Sequence, residues 1–202
     1  MQPAHNFSDK TIPELLLLLE DKDSTVRHCA AIFIGDRYRN PNAVVINGPI
    51  HKPNSPSPEF PIPWKVIPAL SDADWAVRAC AIHALDELRF HTNTTPLIAL
   101  ALDDKDTLIR VRACTALIDI SHEYQEPLHS KVIPTLDGCL NPAGGVEEIW
   151  QAAYAAEALE KDGTPLIPAL HLLTKNNSDK VRHYAHRALA RMARIQKGKK
   201  AR

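Results

Sequence analysis

The side chains here that could carry chemistry are ten histidines, four cysteines and a run of lysines and arginines at the C-terminal end. Cys29, Cys80, Cys114 and Cys139 sit in apolar periodic stretches without CxxC spacing. They read as reduced, buried thiols rather than disulfides or zinc ligands. His122-Glu123 is a lone dipeptide, and no HExxH, GxSxG or glycine-rich phosphate loop occurs. The sequence thus offers no recognisable motif for a nucleophile, a metal or a phosphate. The chain is therefore expected not to be an enzyme and to hold no metal or cofactor. The charges are unevenly placed. Residues 180–202 carry nine basic and no acidic side chains, whereas all 24 acidic residues lie at or before Asp179. That asymmetry points to an acidic partner for the basic end.

The elements that position these residues emerge when the sequence is aligned on a recurring apolar-Arg pair. Val77-Arg78 is followed by Ala81, Ala84, Leu85 and Leu88; Ile109-Arg110 by Ala113, Ala116, Leu117 and Ile120. Val181-Arg182 is followed by Ala185, Ala188, Leu189 and Met192; Val26-Arg27 by Ala30 and the larger Phe33 and Ile34. Such spacing forms one stripe of an α-helix. Alanines on the stripe let neighbouring helices approach closely, which explains why leucine is not used there.

A second signal precedes these helices. Ile-Pro-x-Leu occurs at 12–15, 67–70, 133–136 and 167–170, and proline belongs in the first turn of a helix. The third copy of the register is read at Ala99, where proline is replaced. A polar turn then carries Asp23, Asp74 or Asp106 as candidate N-caps. The unit is helix, turn, helix, with proline-register steps of 31, 35 and 34 residues, a period that implies a stacked helical array. Five pairs are expected, near 9–35, 63–90, 94–122, 126–160 and 164–195. The fourth is degenerate, since "VEEIWQAAYAAEALE" lacks the Val-Arg pair.

This order of proline, apolar run, Asp turn, Val-Arg and Ala-Leu resembles HEAT repeats, in particular the short HEAT-like kind of bilin lyase subunits and deoxyhypusine hydroxylase. The resemblance implies an all-α fold, an α-solenoid of about five HEAT-like antiparallel helix pairs. It also implies that Arg27, Arg78, Arg110 and Arg182 form an Asp–Arg ladder between repeats. The hydroxylase family binds two irons through His-Glu dipeptides beside these positions. Here they read His28-Cys29, Ala79-Cys80, Val111-Arg112 and His183-Tyr184, so the carboxylates that a di-iron site requires are missing.

Val26 and Val77 are 51 residues apart, where about 32 are expected from the repeat period. The surplus forms a proline-rich loop at 36–62, inserted after the first pair, with a short strand at 43–46. Domain 1–195 thus contains this loop, and 196–202 form a basic tail. Long loops often carry function, and Tyr38, Ile50 and Phe60 are the loop residues expected to touch a partner. On the second helices, the face opposite the core stripe carries His28, His83, Asp86, Thr115, His183, His186 and Arg187. Of these, His83, Asp86, His183, His186 and Arg187 are taken as partner-binding residues.

The function expected is a non-catalytic scaffold or adaptor that binds a protein partner through its concave face and loop. Alternatives are a bilin lyase-type subunit handling a tetrapyrrole or its carrier protein, and nucleic-acid binding through the basic end. The acidic body disfavours the latter. No apolar run of membrane-spanning length and no secretory signal are evident, so a cytoplasmic location with no membrane partner is expected.

Overall fold

The computed structural model describes residues 6–39, 66–89, 93–124 and 127–200, with side chains to Ile195. Among these there are ten α-helices and no strand. Contacts divide the chain into two compact units, Met1–Ala101 and Leu102–Arg202. The first contains α1 (Ile12–Leu18), α2 (Ser24–Arg39), α3 (Val66–Ala69), α4 (Trp75–Leu88) and α5 (Thr95–Ala99). The second contains α6 (Thr107–Tyr124), α7 (Val132–Cys139), α8 (Val146–Ala158), α9 (Ile167–Leu173) and α10 (Asp179–Lys200). Short helices that open on proline alternate with long ones rich in alanine.

Each short helix holds its proline within its first three residues, where the missing N–H costs nothing. For α5 this is Pro96, so the register is kept there and not at Ala99. Two residues after Pro13, Pro96, Pro134 and Pro168, the side chains of Leu15, Ile98, Leu136 and Leu170 are fully buried. A capping box of Thr11 and Glu14 starts α1. The predicted caps Asp23 and Asp74 accept from the N–H groups of Thr25 and Ala76, each at 2.9 Å.

The long helices pack on one another: α2 on α4 in the first unit, α8 on both α6 and α10 in the second. The stripe alanines Ala81, Ala84, Ala113, Ala116, Ala185 and Ala188 are all buried, as their spacing predicts. Gly35 shows how tight the α2–α4 contact is. A Cβ there would meet the His83 ring at 2.9 Å and the Ala84 Cα at 3.3 Å. Cys114 and Cys139 are buried and Cys29 and Cys80 half-buried, and none of the four is in a disulfide. Burial pushes the Cys114 and Cys139 thiols up, which favours their neutral form.

Two boundaries differ from the sequence reading. Helix α2 continues through Arg39, so residues 36–39 of the expected loop are helical, because "DRYR" contains neither glycine nor proline ahead of Pro41. Residues 40–62, with the expected strand at 43–46 and with Ile50 and Phe60, lie outside the described residues. At the other end α10 runs to Lys200, so 196–200 of the expected tail continue a helix.

Candidate functional site

The arginine of each Val-Arg pair performs one task four times. Nη1 of Arg27 donates to the carbonyls of Asp21 and Lys22, at 2.8 and 3.2 Å. Arg78 donates likewise to Asp72 and Ala73, at 2.8 and 3.2 Å. Arg110 reaches Asp104 and Lys105, at 2.7 and 3.1 Å, and Arg182 reaches Asn176 and Asn177, at 2.6 and 2.9 Å. Each guanidinium thus closes the turn preceding its own helix. The first residue of each turn, Asp21, Asp72, Asp104 or Asn176, also accepts from the N–H two residues on, at 2.8–2.9 Å. That is an Asx turn.

The expected ladder between repeats has a clear rung at Arg27. Its Nε and Nη2 bind the two Asp72 oxygens, at 2.6 and 2.9 Å, with both side chains mostly out of water. Such bidentate pairing is the strong form of the interaction. The Arg27 guanidinium holds the Asp72 carboxyl below the usual carboxylate range. The recurrent role of these arginines, however, is the clamp within the repeat, which sequence spacing alone did not separate from the ladder.

The clamp is missing at α8. Ile149 is buried in the place of the valine, and Trp150 follows it where arginine stands elsewhere. Its ring packs on Tyr184 of α10, with centroids 5.0 Å apart, and Tyr154 meets the same Tyr184 edge-on at 5.9 Å. Lys180 lies over the indole, 3.7 Å from its centroid, and the indole N–H donates to Glu147 at 2.8 Å. His183 and Arg187 border Tyr184, with the guanidinium 5.2 Å from the ring. Tyr154 remains 48% exposed, and Trp150 and Tyr184 are half-exposed. Salt bridges flank the rings: Lys180 to Glu147, Arg187 to Glu157 and Arg191 to Glu160.

The predicted site residues therefore separate. His183 and Arg187 join this aromatic cluster, while His186 is exposed on α10. His83 and Asp86 belong to the first unit. His83 sits 3.9 Å from Asp36 and 3.9 Å from Glu87, and Asp86 binds Arg89 at 2.6 Å. Tyr38 departs from its expected role as a loop contact: it lies in the last turn of α2 and is buried, its phenol pushed up to about 12 by desolvation. The polar offsets of the long helices do not point to Trp150, Tyr154 and Tyr184, which are aromatic. The signal available was tryptophan in an arginine position.

No group of three or more His, Cys, Asp or Glu side chains placed to hold a metal ion occurs among the described residues. No described helix is long and apolar enough to cross a membrane.

No protein-family model matches the chain, and no curated protein matches it. Solved structures do. An engineered protein known from its crystal structure is 18% identical over 91% of this chain and 80% of its own, with a TM-score of 0.58. Human deoxyhypusine hydroxylase in complex with glycerol is 17% identical over 91% of this chain and 74% of its own, with a TM-score of 0.46. At such identities the likeness concerns the fold. One expectation is corrected. The lack of a catalytic motif in the sequence does not exclude an enzyme, because an active site can be assembled from residues far apart in the chain. The exclusion is withdrawn, and this chain's own activity stays unassigned.

Proposed function

We propose that the chain is a HEAT-like α-solenoid of about five helix pairs that binds a protein partner through the polar and aromatic face of its long helices. The supporting observation is the cluster of Trp150, Tyr154 and Tyr184, which leaves three aromatic rings at the surface of one helix pair. Exposed aromatics beside cations are enriched where proteins recognise proteins, because each ring offers large contact area at little entropic cost. Ion pairs on Lys180, Arg187 and Arg191 offset much of the positive charge there, which favours a protein over a polyanionic strand. In this reading His183 and Arg187 rim the contact, and residues 40–62, with Ile50 and Phe60, supply a second contact segment.

Affinity capture from cells of the source organism tests this. The Trp150→Ala/Tyr154→Ala variant should lose the bound partner while its helical circular dichroism is kept. Retention of the same partner by that variant contradicts the reading. Deleting residues 40–62 in parallel measures the second contact.

A further inference from the structure

Helix α2 receives α4 along one edge, through three positions counted from Val26. Arg27, one residue on, binds Asp72; Gly35, nine on, admits the His83 ring and Ala84; Arg39, thirteen on, binds Glu87 at 2.7 Å. Helix α10 carries the same series counted from Val181: Arg182 at one, Ala190 at nine, Arg194 at thirteen. Val181 is buried as Val26 is, so the two series lie on the same edge of their helices. On α10 this edge is at the surface. His186, Ala190, Ala193 and Arg194 are exposed, and Arg182 is part-exposed, its Nη2 paired with the exposed Asp179 of its own helix, which an incoming carboxylate would replace.

We infer that this edge of α10 is a docking surface for an acidic helical hairpin of another polypeptide. The hairpin would carry one carboxylate in its turn, five positions before the buried valine of its long helix, and a second on that helix ten positions after the valine, as Asp72 and Glu87 stand about Val77. Twelve residues separate Arg182 from Arg194, about 18 Å along a helix, the span between Arg27 and Arg39. Charge complementarity supports the assignment, since residues 180–202 contain no acidic side chain. A second copy of this chain fits less well. The corresponding incoming edge of its α2 has Phe33 where α4 has Ala84, and Phe7 already stacks on Phe33 at 5.6 Å. Arg37 secures that segment by donating to the carbonyls of Ser8 and Lys10. This surface is distinct from the aromatic cluster between α8 and α10, so it stands or falls independently of it.

The test uses the full chain with an added copy of residues 66–89 joined to its C-terminus by a flexible linker, which raises the local concentration to about the millimolar range. Amide hydrogen exchange is read at residues 186–194. The fusion should slow exchange there by about tenfold or more at low salt. A fusion whose added copy bears Asp72→Lys and Glu87→Lys should not, nor should a host with Arg182→Glu and Arg194→Glu. Equal exchange in the fusion and the unfused chain overturns the proposal, as does equal slowing by the charge-reversed copy. Slowing by a 20-nucleotide single-stranded RNA, without slowing by the hairpin, would overturn it in favour of a phosphate-binding edge.

Discussion

The α2–α4 and α8–α10 contacts join long helices of the same type, yet they are built from opposite materials. Between α2 and α4, a half-buried bidentate Arg27–Asp72 pair and a glycine at which a Cβ would meet the His83 ring at 2.9 Å fix the geometry. Between α8 and α10, aromatic rings replace the pair, and the flanking salt bridges are largely exposed. The difference traces to one repeat position. Where it is arginine, the side chain is consumed in closing a turn and, at Arg27, in tying the turn before the next long helix. Where it is Trp150, a ring is left partly in water. A pair of packed helices can thus vary one position without losing its fold, because the buried stripe of Val or Ile and alanine carries the packing in both places.

The sharpest way to break the first contact is Asp72→Ala. It removes the bidentate partner of Arg27 and the acceptor of the Asx turn together. A destabilisation of about 2–3 kcal/mol is expected in urea unfolding, and the Arg27→Ala/Asp72→Ala double variant should cost less than the two singles combined. Ala84→Leu overpacks the same contact and should cost about 1–3 kcal/mol. A loss below about 0.5 kcal/mol would mean that α2 and α4 are not in close register.

Acid should act on the same contact. The Asp72 carboxyl is held low in the folded state, so its contribution is present above its unfolded value, about 4, and is lost as pH falls through the folded value. Stability should therefore decline below about pH 4, and Asp72→Asn should flatten part of that decline. Tyr38 tests the helical reading of residues 36–39. Its phenol should ionise near pH 12 in an ultraviolet titration of the folded protein, compared with Tyr38→Phe; ionisation near 10, the ordinary value, would place it at the surface. The smallest effect belongs to the second contact. Glu160→Gln removes an exposed partner of Arg191 and should change stability by less than about 0.5 kcal/mol.

Much of the fold could be read from the residues because packing leaves a periodic trace. The alanine stripes and the prolines that open the short helices point to the helices observed, and Asp23 and Asp74 cap as their positions suggest. The reading failed where two structures share one pattern. A proline-dense stretch marks where helix must stop, but not that α2 reaches Arg39 before stopping. The arginine pattern fits both a ladder and a clamp, and only hydrogen-bond geometry distinguishes them. The aromatic cluster was missed for a similar reason. Trp150, Tyr154 and Tyr184 come from two helices, and the pairing of side chains across a helix interface leaves no period in either one.

The most direct test of the account is site-specific photocrosslinking in the source cells, with a benzophenone side chain placed at Tyr154 on α8 or at the exposed Thr25 on α2. The expected result is a partner adduct from position 154, lost when Trp150 is also changed to alanine, and none from position 25. An adduct from position 25 with none from 154 would contradict it.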